Sequence, residues 1–334
     1  MAEKKYSFFL SRFITFRFIT FSFLIVLLLF FSIPLNSQEQ VSKSPKGSAN
    51  IIAFISDTQS PMWIEKLWLK SDNNEKATRV LFSSLLTEPD ISAVFHLGDI
   101  TPIGFFEFEW KDAMKYIKEL NKKGIPIYPA MGNHEYFIFP SEGEKSFFRK
   151  FPYIRSSWYE KHIGSLAVVM LNSNFSHLSD DEIKDEQKWY ESKIHELDED
   201  PKVNAIIVGT HYPPYTNSKV IAPSIKVESN FVPIFLKSKK CKIFISGHAH
   251  AFEHFQKGGK DFIVAGGGGG LLQPLYTGKE QHFKDLFPYK TQRRMFHYVL
   301  CEQKGDSLYL KVKMISPDFR KFCEVYRIAR GVTK

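Results

Sequence analysis

The sequence predicts an α/β fold built in layers. Two observations point to it. From about residue 50, short apolar runs of buried-strand type alternate with amphipathic helical stripes; beyond about Phe252 the chain reads as successive hairpin strands with Gly-rich turns. The 334 residues, 43% of them apolar, suffice for a sizeable core in one or two domains.

The elements follow in order. Residues 51–56 (IIAFIS) are a continuous apolar run too short for a helix, as expected of a strand buried on both faces. Ala77, Val80, Leu81 and Leu85 then recur at helical spacing. Residues 91–96 return to the strand pattern. Trp110, Met114, Ile117 and Leu120 give a second helical stripe, closed by Gly124, and 125–130 form the next strand. Residues 158–173 read as a hairpin about Gly164. Ile183, Tyr190, Ile194 and Leu197 mark an amphipathic helix with Ser179 or Asp180 as its cap. Residues 205–209 and 242–246 are two further buried strands. The stretches 136–165 and 213–230 carry no readable motif and are taken as long loops around the site.

The glycine run 266–270 follows a strand-like FIVA segment. It lacks the Lys and Ser/Thr of a phosphate-binding P-loop, so it is expected as a turn where backbone passes close to something.

The N-terminus has a different character. Lys4, Lys5, Arg12 and Arg17 against Glu3 place three of the nine net positive charges in the first 37 residues, and 18–35 (FITFSFLIVLLLFFSIPL) carries no charge. A basic start before an apolar run is a signal-peptide pattern, although this run is also just long enough to span a bilayer. Residues 1–37 are therefore expected to export the chain, with Leu35 and Ser37 before an imperfect cleavage point at Gln38. The alternative is a retained membrane anchor with the main domain outside the cytoplasm. No cysteine lies near, which excludes a lipoprotein. The polar residues 38–49 read as a linker, and the domain runs over 50–330.

The remaining charge is moderately basic and of mixed sign, which suits anionic substrates without demanding nucleic acid. Lys237, Lys239, Lys240 and Lys242 read as the solvated end of a helix before a strand. Cys241, Cys301 and Cys323 form no CxxC, so neither a disulfide framework nor a zinc ribbon is indicated. They are expected as buried thiols, although Cys301 and Cys323 lie in strand-like segments that could pair.

Five apolar strands run into polar residues at their C-terminal ends, where open α/β sheets place their sites. They end in Asp57 and Gln59 (FISDTQ), Asp99 (VFHLGDI), Asn133, His134 and Glu135 (YPAMGNHE), His211 (IIVGTHYPPY), and His248 and His250 (GHAHAFEH). Singly these are weak signals. A lone Asp after a strand is usually a turn or a cap, and a lone His is usually surface or a satisfied core group. His-x-His on extended chain points two imidazoles the same way. Together, carboxylate, imidazole and amide oxygen make a ligand set suited to Mn, Fe or Zn.

This ordered set resembles the calcineurin-like metallophosphoesterase superfamily over about residues 50–270, and GHAHAFEH with the following glycines is nearest to its purple acid phosphatase-like members. The resemblance implies a four-layer α-β-β-α sandwich of two mixed sheets. It implies two divalent metal ions (Mn, Fe or Zn). Asp57 and His250 would hold the first, Asp99 would bridge, and Asn133, His211 and His248 would complete the second. His134 would be catalytic beside the leaving-group oxygen, and with Asn133 would touch the substrate. The implied reaction is hydrolysis of a phosphate ester, preferably a monoester, by hydroxide held between the metals.

Two departures qualify it. Gln59 stands where the family usually has a metal-binding His. Pro102 stands where purple enzymes have the tyrosinate ligand, so a coloured iron centre is not expected. In addition, 100–104 supplies no acid to orient His134. Two alternatives stay open: a phosphodiesterase acting on nucleotides or lipid headgroups, and a non-catalytic metal-binding interaction module. The expected partner is the phosphate-ester substrate, with no specific nucleic acid and with membrane association only through the N-terminal segment. His96 and His254 are expected as packing, and 212–215 as a rigid rim. Tyr136, Phe137 and Phe139 read equally as an aromatic wall beside the site or as core.

Overall fold

The computed structural model describes residues 51–62 and 73–332. The expected targeting segment (1–37) and linker (38–49) lie outside them. Among the described residues, no helix is long and apolar enough to cross a membrane.

In chain order the elements are β1 (Ile51–Ile55), α1 (Asn74–Thr87), β2 (Ile91–His96), α2 (Trp110–Lys122), β3 (Ile127–Pro129), α3 (Pro140–Lys150), β4 (Tyr159–Ile163) and β5 (Leu166–Met170). There follow α4 (Asp180–Glu199), β6 (Ala205–Thr210), α5 (Ile225–Asn230), α6 (Val232–Lys237), β7 (Cys241–Ser246), β8 (Phe252–Lys257), β9 (Lys260–Ala265), β10 (His297–Lys304), β11 (Ser307–Ile315) and β12 (Phe322–Gly331).

They form two six-stranded sheets, ordered β12-β11-β10-β1-β2-β3 and β4-β5-β6-β7-β9-β8. Both are mixed. In the first, β1, β2 and β3 are parallel and β10 joins them antiparallel. In the second, β5, β6, β7 and β9 are parallel, with antiparallel strands at the edges.

Side-chain parity builds the layers. In β1, Ile51, Ala53 and Ile55 face α1, α2 and α3 through Leu81, Leu85, Ile117, Leu120 and Phe147. Ile52 and Phe54 point the other way, onto Val168, Met170, Ile207 and Ile243 of the second sheet. The far side of that sheet, with Val169, Val208 and Phe244, packs on Tyr190, Ile194 and Leu197 of α4 and Phe235 of α6. The result is the four-layer α-β-β-α sandwich. Strands covered on both faces are why the sequence shows continuous rather than alternating apolar runs.

Local signals explain individual elements. Ser179 caps α4: its hydroxyl accepts the Glu182 N–H, and the Glu182 carboxylate accepts the Ser179 N–H. The lysine cluster runs from Lys237, the last residue of α6, to Lys242, the second residue of β7.

Several expectations are corrected. The stretch 136–165 is not a loop; it contains α3 and leads into the β4–β5 hairpin. The stretch 213–230 contains α5. The hairpins after Phe252 are interrupted by 266–296, which holds a single 3-10 turn. All three thiols are free, and Cys323 is exposed rather than buried because β12 is an edge strand. Tyr215 is not rim but core, edge-on to Phe262.

Candidate metal centre

The parallel strands β1, β2, β3, β6 and β7 deliver their C-terminal ends to one place. Asp57, Asp99 and His248 each turn there with a left-handed backbone, at φ 56, 57 and 64. Such a conformation costs a non-glycine residue roughly 1–3 kcal/mol and collects at functional sites. Gly98, before Asp99, is at φ 104, and a Cβ there would stand 2.7 Å from the Gly132 nitrogen. Only glycine lets the β2 and β3 loops approach this closely. The loops are also stitched by backbone: Asp57 N–H donates to Gly98 O at 3.0 Å and Gly247 N–H to His211 O at 3.0 Å.

The side chains fall into two groups whose ligand atoms all lie within 4.8 Å of one another: Asp57, Asp99 and His250, and Asp99, His211 and His248. Asp99 belongs to both. Its Oδ2 is 3.3 Å from His211 Nε2, and Asp57 Oδ1 is 3.4 Å from His250 Nε2. Backbone carbonyls fix two imidazoles from behind. His211 Nδ1 donates to Leu97 O at 2.9 Å and His250 Nδ1 to Leu271 O at 2.8 Å. Each ring then turns Nε2 to the centre, as ligating histidines do.

Asn133 joins through its Oδ1, 3.0 Å from His211 Nε2. Two acceptor atoms this close need a proton or a cation between them. Gln59 supplies a second sign. Its side chain is buried, and neither amide atom has a hydrogen-bond partner. An unpaired buried polar group costs roughly 1–3 kcal/mol. The donor set, with its orphaned amide, fits divalent cations.

Electrostatics agree. Burial alone would raise the Asp99 carboxyl, but the His211 and His134 charges hold it below the ordinary range. Burial and the neighbouring His211 charge push His248 well down, which leaves a neutral imidazole with a free lone pair.

The sequence model of the calcineurin-like phosphoesterases matches residues 51–252, more than half of the chain. The chain belongs to the calcineurin-like phosphoesterase family. Solved structures of similar fold include GAP50, the anchor in the inner membrane complex of Plasmodium, with TM-score 0.63 and 14% identity over 86% of this chain and 90% of that one. A purple acid phosphatase from yellow lupin (Lupinus luteus) aligns with TM-score 0.62 and 16% identity over 85% of this chain, which spans 54% of the lupin chain. A dimetal phosphatase from Danio rerio aligns with TM-score 0.54 and 14% identity, over 86% of this chain and all of that one. At these identities the likeness is one of fold. No curated protein matches the chain by sequence.

The family member's departures acquire a structural account. His134, whose orienting partner the sequence did not reveal, donates from Nδ1 to the carbonyl oxygen of Pro102 at 2.7 Å. The residue that replaces the tyrosinate ligand thus positions the imidazole with its backbone. Glu135, to which the sequence assigned no role, accepts N–H bonds from Asp99, Ile100, Thr101 and Gly132 at 2.6–3.3 Å. Burial and the Asp99 charge push its carboxyl up to about 7, against these donors, which favour the charged form. It clamps the β2 loop to the β3 loop beneath Asp99.

His96 is packing of a specific kind. Its Nδ1 accepts the Gly98 N–H, so its Nε2 donates to the Thr58 hydroxyl at 2.9 Å, and burial pushes it down to about 3. His254 lies between Asp261 and Tyr326 and takes no part in the centre. Tyr212 stands over His248, with ring centroids 4.2 Å apart. Tyr136 is core and accepts a hydrogen bond from Asn172, whereas Phe137 and Phe139 are exposed.

The glycine run makes a close approach, as its composition indicated, and what it approaches is the centre. Asn74 Nδ2 donates to the Gly269 and Gly270 carbonyls at 2.8 and 3.0 Å, and a Cβ on Gly270 would come within 2.4 Å of the His250 ring. Gly270→Ala is expected to displace His250 and weaken the Asp57-side metal while the fold persists. Metal content per chain beside a thermal melt checks this; unchanged metal content would contradict it.

Proposed function

We propose that this family member hydrolyses phosphate esters, monoesters preferred, at a dinuclear centre. The observation that carries the reading is Asp99, one carboxylate common to two ligand groups. Asp57, Gln59 and His250 would hold one cation, Asn133, His211 and His248 the other, and Asp99 both. When bound, two divalent cations (Mn, Fe or Zn) supply positive charge to the phosphoryl oxygens and lower the pKa of the attacking water.

The chain's own groups do the rest. A carbonyl only accepts, so Pro102 keeps a proton on His134 Nδ1 in either charge state. Nε2, 3.8 Å from Asp99 Oδ2, is therefore the atom that gains and loses a proton. From Nε2 it would protonate the departing alkoxide. Asn133 turns its Oδ1 toward His211, which leaves its N–H groups for a phosphoryl oxygen.

The test is hydrolysis of an aryl phosphate monoester and the matching diester by the full-length chain loaded with Mn, Fe or Zn. The monoester is expected to show the higher kcat/KM. The reverse order would make the chain a diesterase. Bound metal with no turnover of either ester would make it a non-catalytic module.

A further inference from the structure

Among the described residues, nine large apolar side chains are exposed, and five of them sit on two adjoining loops: Phe106 and Phe108 after β2, and Phe137, Ile138 and Phe139 after β3. The others are scattered. Phe105 links the two loops, 4.1 Å from Phe106 and 4.8 Å from Phe139 by ring centroid, and Phe106 lies 5.2 Å from Phe108. A folded chain rarely leaves such a continuous aromatic surface in water unless something binds it.

Its position is specific. The same loops hold His134: Pro102 O receives its Nδ1–H, and its carbonyl accepts the N–H of Gly104 at 2.9 Å and of Phe137 at 3.4 Å. The Phe137 ring lies 6.3 Å from the His134 ring. The apolar surface therefore begins on the side of the centre where the leaving group would depart. Glu107, between Phe106 and Phe108, is paired with Arg149 and Lys150.

The tip is also strained. Ile138 has φ 65, an outlier for a β-branched residue, in a tight turn where Phe139 N–H donates to Phe137 O at 2.9 Å. Ile138 is 56% exposed, so little packing within the fold is available to offset the strain. A large apolar group held in a glycine conformation and pointed at solvent is explained by what it touches when a ligand is present.

We propose that Phe105, Phe106, Phe108, Phe137, Ile138 and Phe139 form a platform for the apolar part of the leaving alcohol, so that the substrates are phosphate esters of apolar alcohols. This rests on the hydrolase reading and on His134 facing the leaving group. The phosphoryl group occupies the polar centre, and the hydrocarbon lies across the rings. Burying one methylene fully is worth about fourfold in affinity, and about twofold on a surface that stays half open.

The experiment uses the full-length, metal-loaded chain with methyl, butyl and octyl phosphate. Binding of the corresponding alkyl phosphonates, which cannot be hydrolysed, is measured by calorimetry. The expected result is a rise in kcat/KM and in phosphonate affinity of about two- to fourfold per added methylene. In the variant Phe108→Ser/Phe139→Ser the octyl-to-methyl ratio falls toward one.

Ile138→Gly relieves the left-handed strain, so its melting temperature is expected to rise while its octyl-to-methyl ratio falls. That combination separates lost contact from lost folding. A wild-type ratio near one, or a ratio unchanged in both variants, overturns the platform. So does a flat alkyl series together with Phe-dependent sedimentation on phosphatidylcholine vesicles, which would make the patch a membrane contact. If no ester is turned over, the hydrolase reading fails, and the phosphonate series still decides the platform.

Discussion

Asp99→Asn is expected to leave the chain without either metal and with phosphate-ester hydrolysis at background. The carboxylate serves both ligand groups, and its Oδ1 also accepts the His134 N–H at 2.9 Å. Asparagine keeps the size, and it tolerates the left-handed backbone at φ 57 better than most residues. The Glu135 bonds to the Asp99, Ile100, Thr101 and Gly132 N–H groups are untouched. The fold should therefore survive while the shared negative charge is lost. Metal analysis beside circular dichroism reads this directly. Retention of both metals with normal turnover would show that Asp99 is not shared. A changed spectrum would identify a folding defect instead.

His134→Ala is expected to behave in the opposite way. It should lower kcat by roughly 10²–10⁴-fold, the usual worth of a positioned general acid, while both metals stay bound. His134 lies outside both ligand groups, and its Nδ1 is committed to Pro102. Because the lost interaction is made to the leaving oxygen, the deficit should be largest for esters of high-pKa alcohols. It should shrink for nitrophenyl esters, whose leaving group needs little protonation. Kinetics over a leaving-group series, with metal analysis on the same sample, check the role. If metal content fell with activity, His134 would be a ligand.

Much of this was legible in the sequence, for physical reasons. Strands covered on both faces leave unbroken apolar runs, so β1, β2, β6 and β7 stood out. The first ionisable residues beyond these strands, Asp57, Asp99, His211 and His248, are candidate ligands, because a charged group at the end of a buried strand must face a cavity, a partner or water. The helices α1, α2 and α4 bury wide stripes. α3 was missed because its buried face is Gly143, Ser146 and Phe147, too small and too polar to mark a stripe. α5 and α6 are six residues each, and Pro233 sits in the first turn of the second. Helices that short leave no periodicity.

Within the site, what stayed hidden is carried by backbone. The carbonyl of Pro102 that orients His134 has no side-chain signature. Neither do the four N–H groups that Glu135 collects. They become visible only when the left-handed turn at Asp99 brings them to one carboxylate. The glycine run shows the intermediate case. Composition indicated a close approach, and only the fold identified the His250 ring as the thing approached.

The central claim is that one carboxylate joins two cation sites. Titration of the metal-free, full-length chain with Mn, followed by metal counting and electron paramagnetic resonance, tests it most directly. The account predicts two Mn per chain with the spectrum of a magnetically coupled pair, and loss of that pair in Asp99→Asn. One Mn per chain, or two that remain magnetically independent, would contradict it.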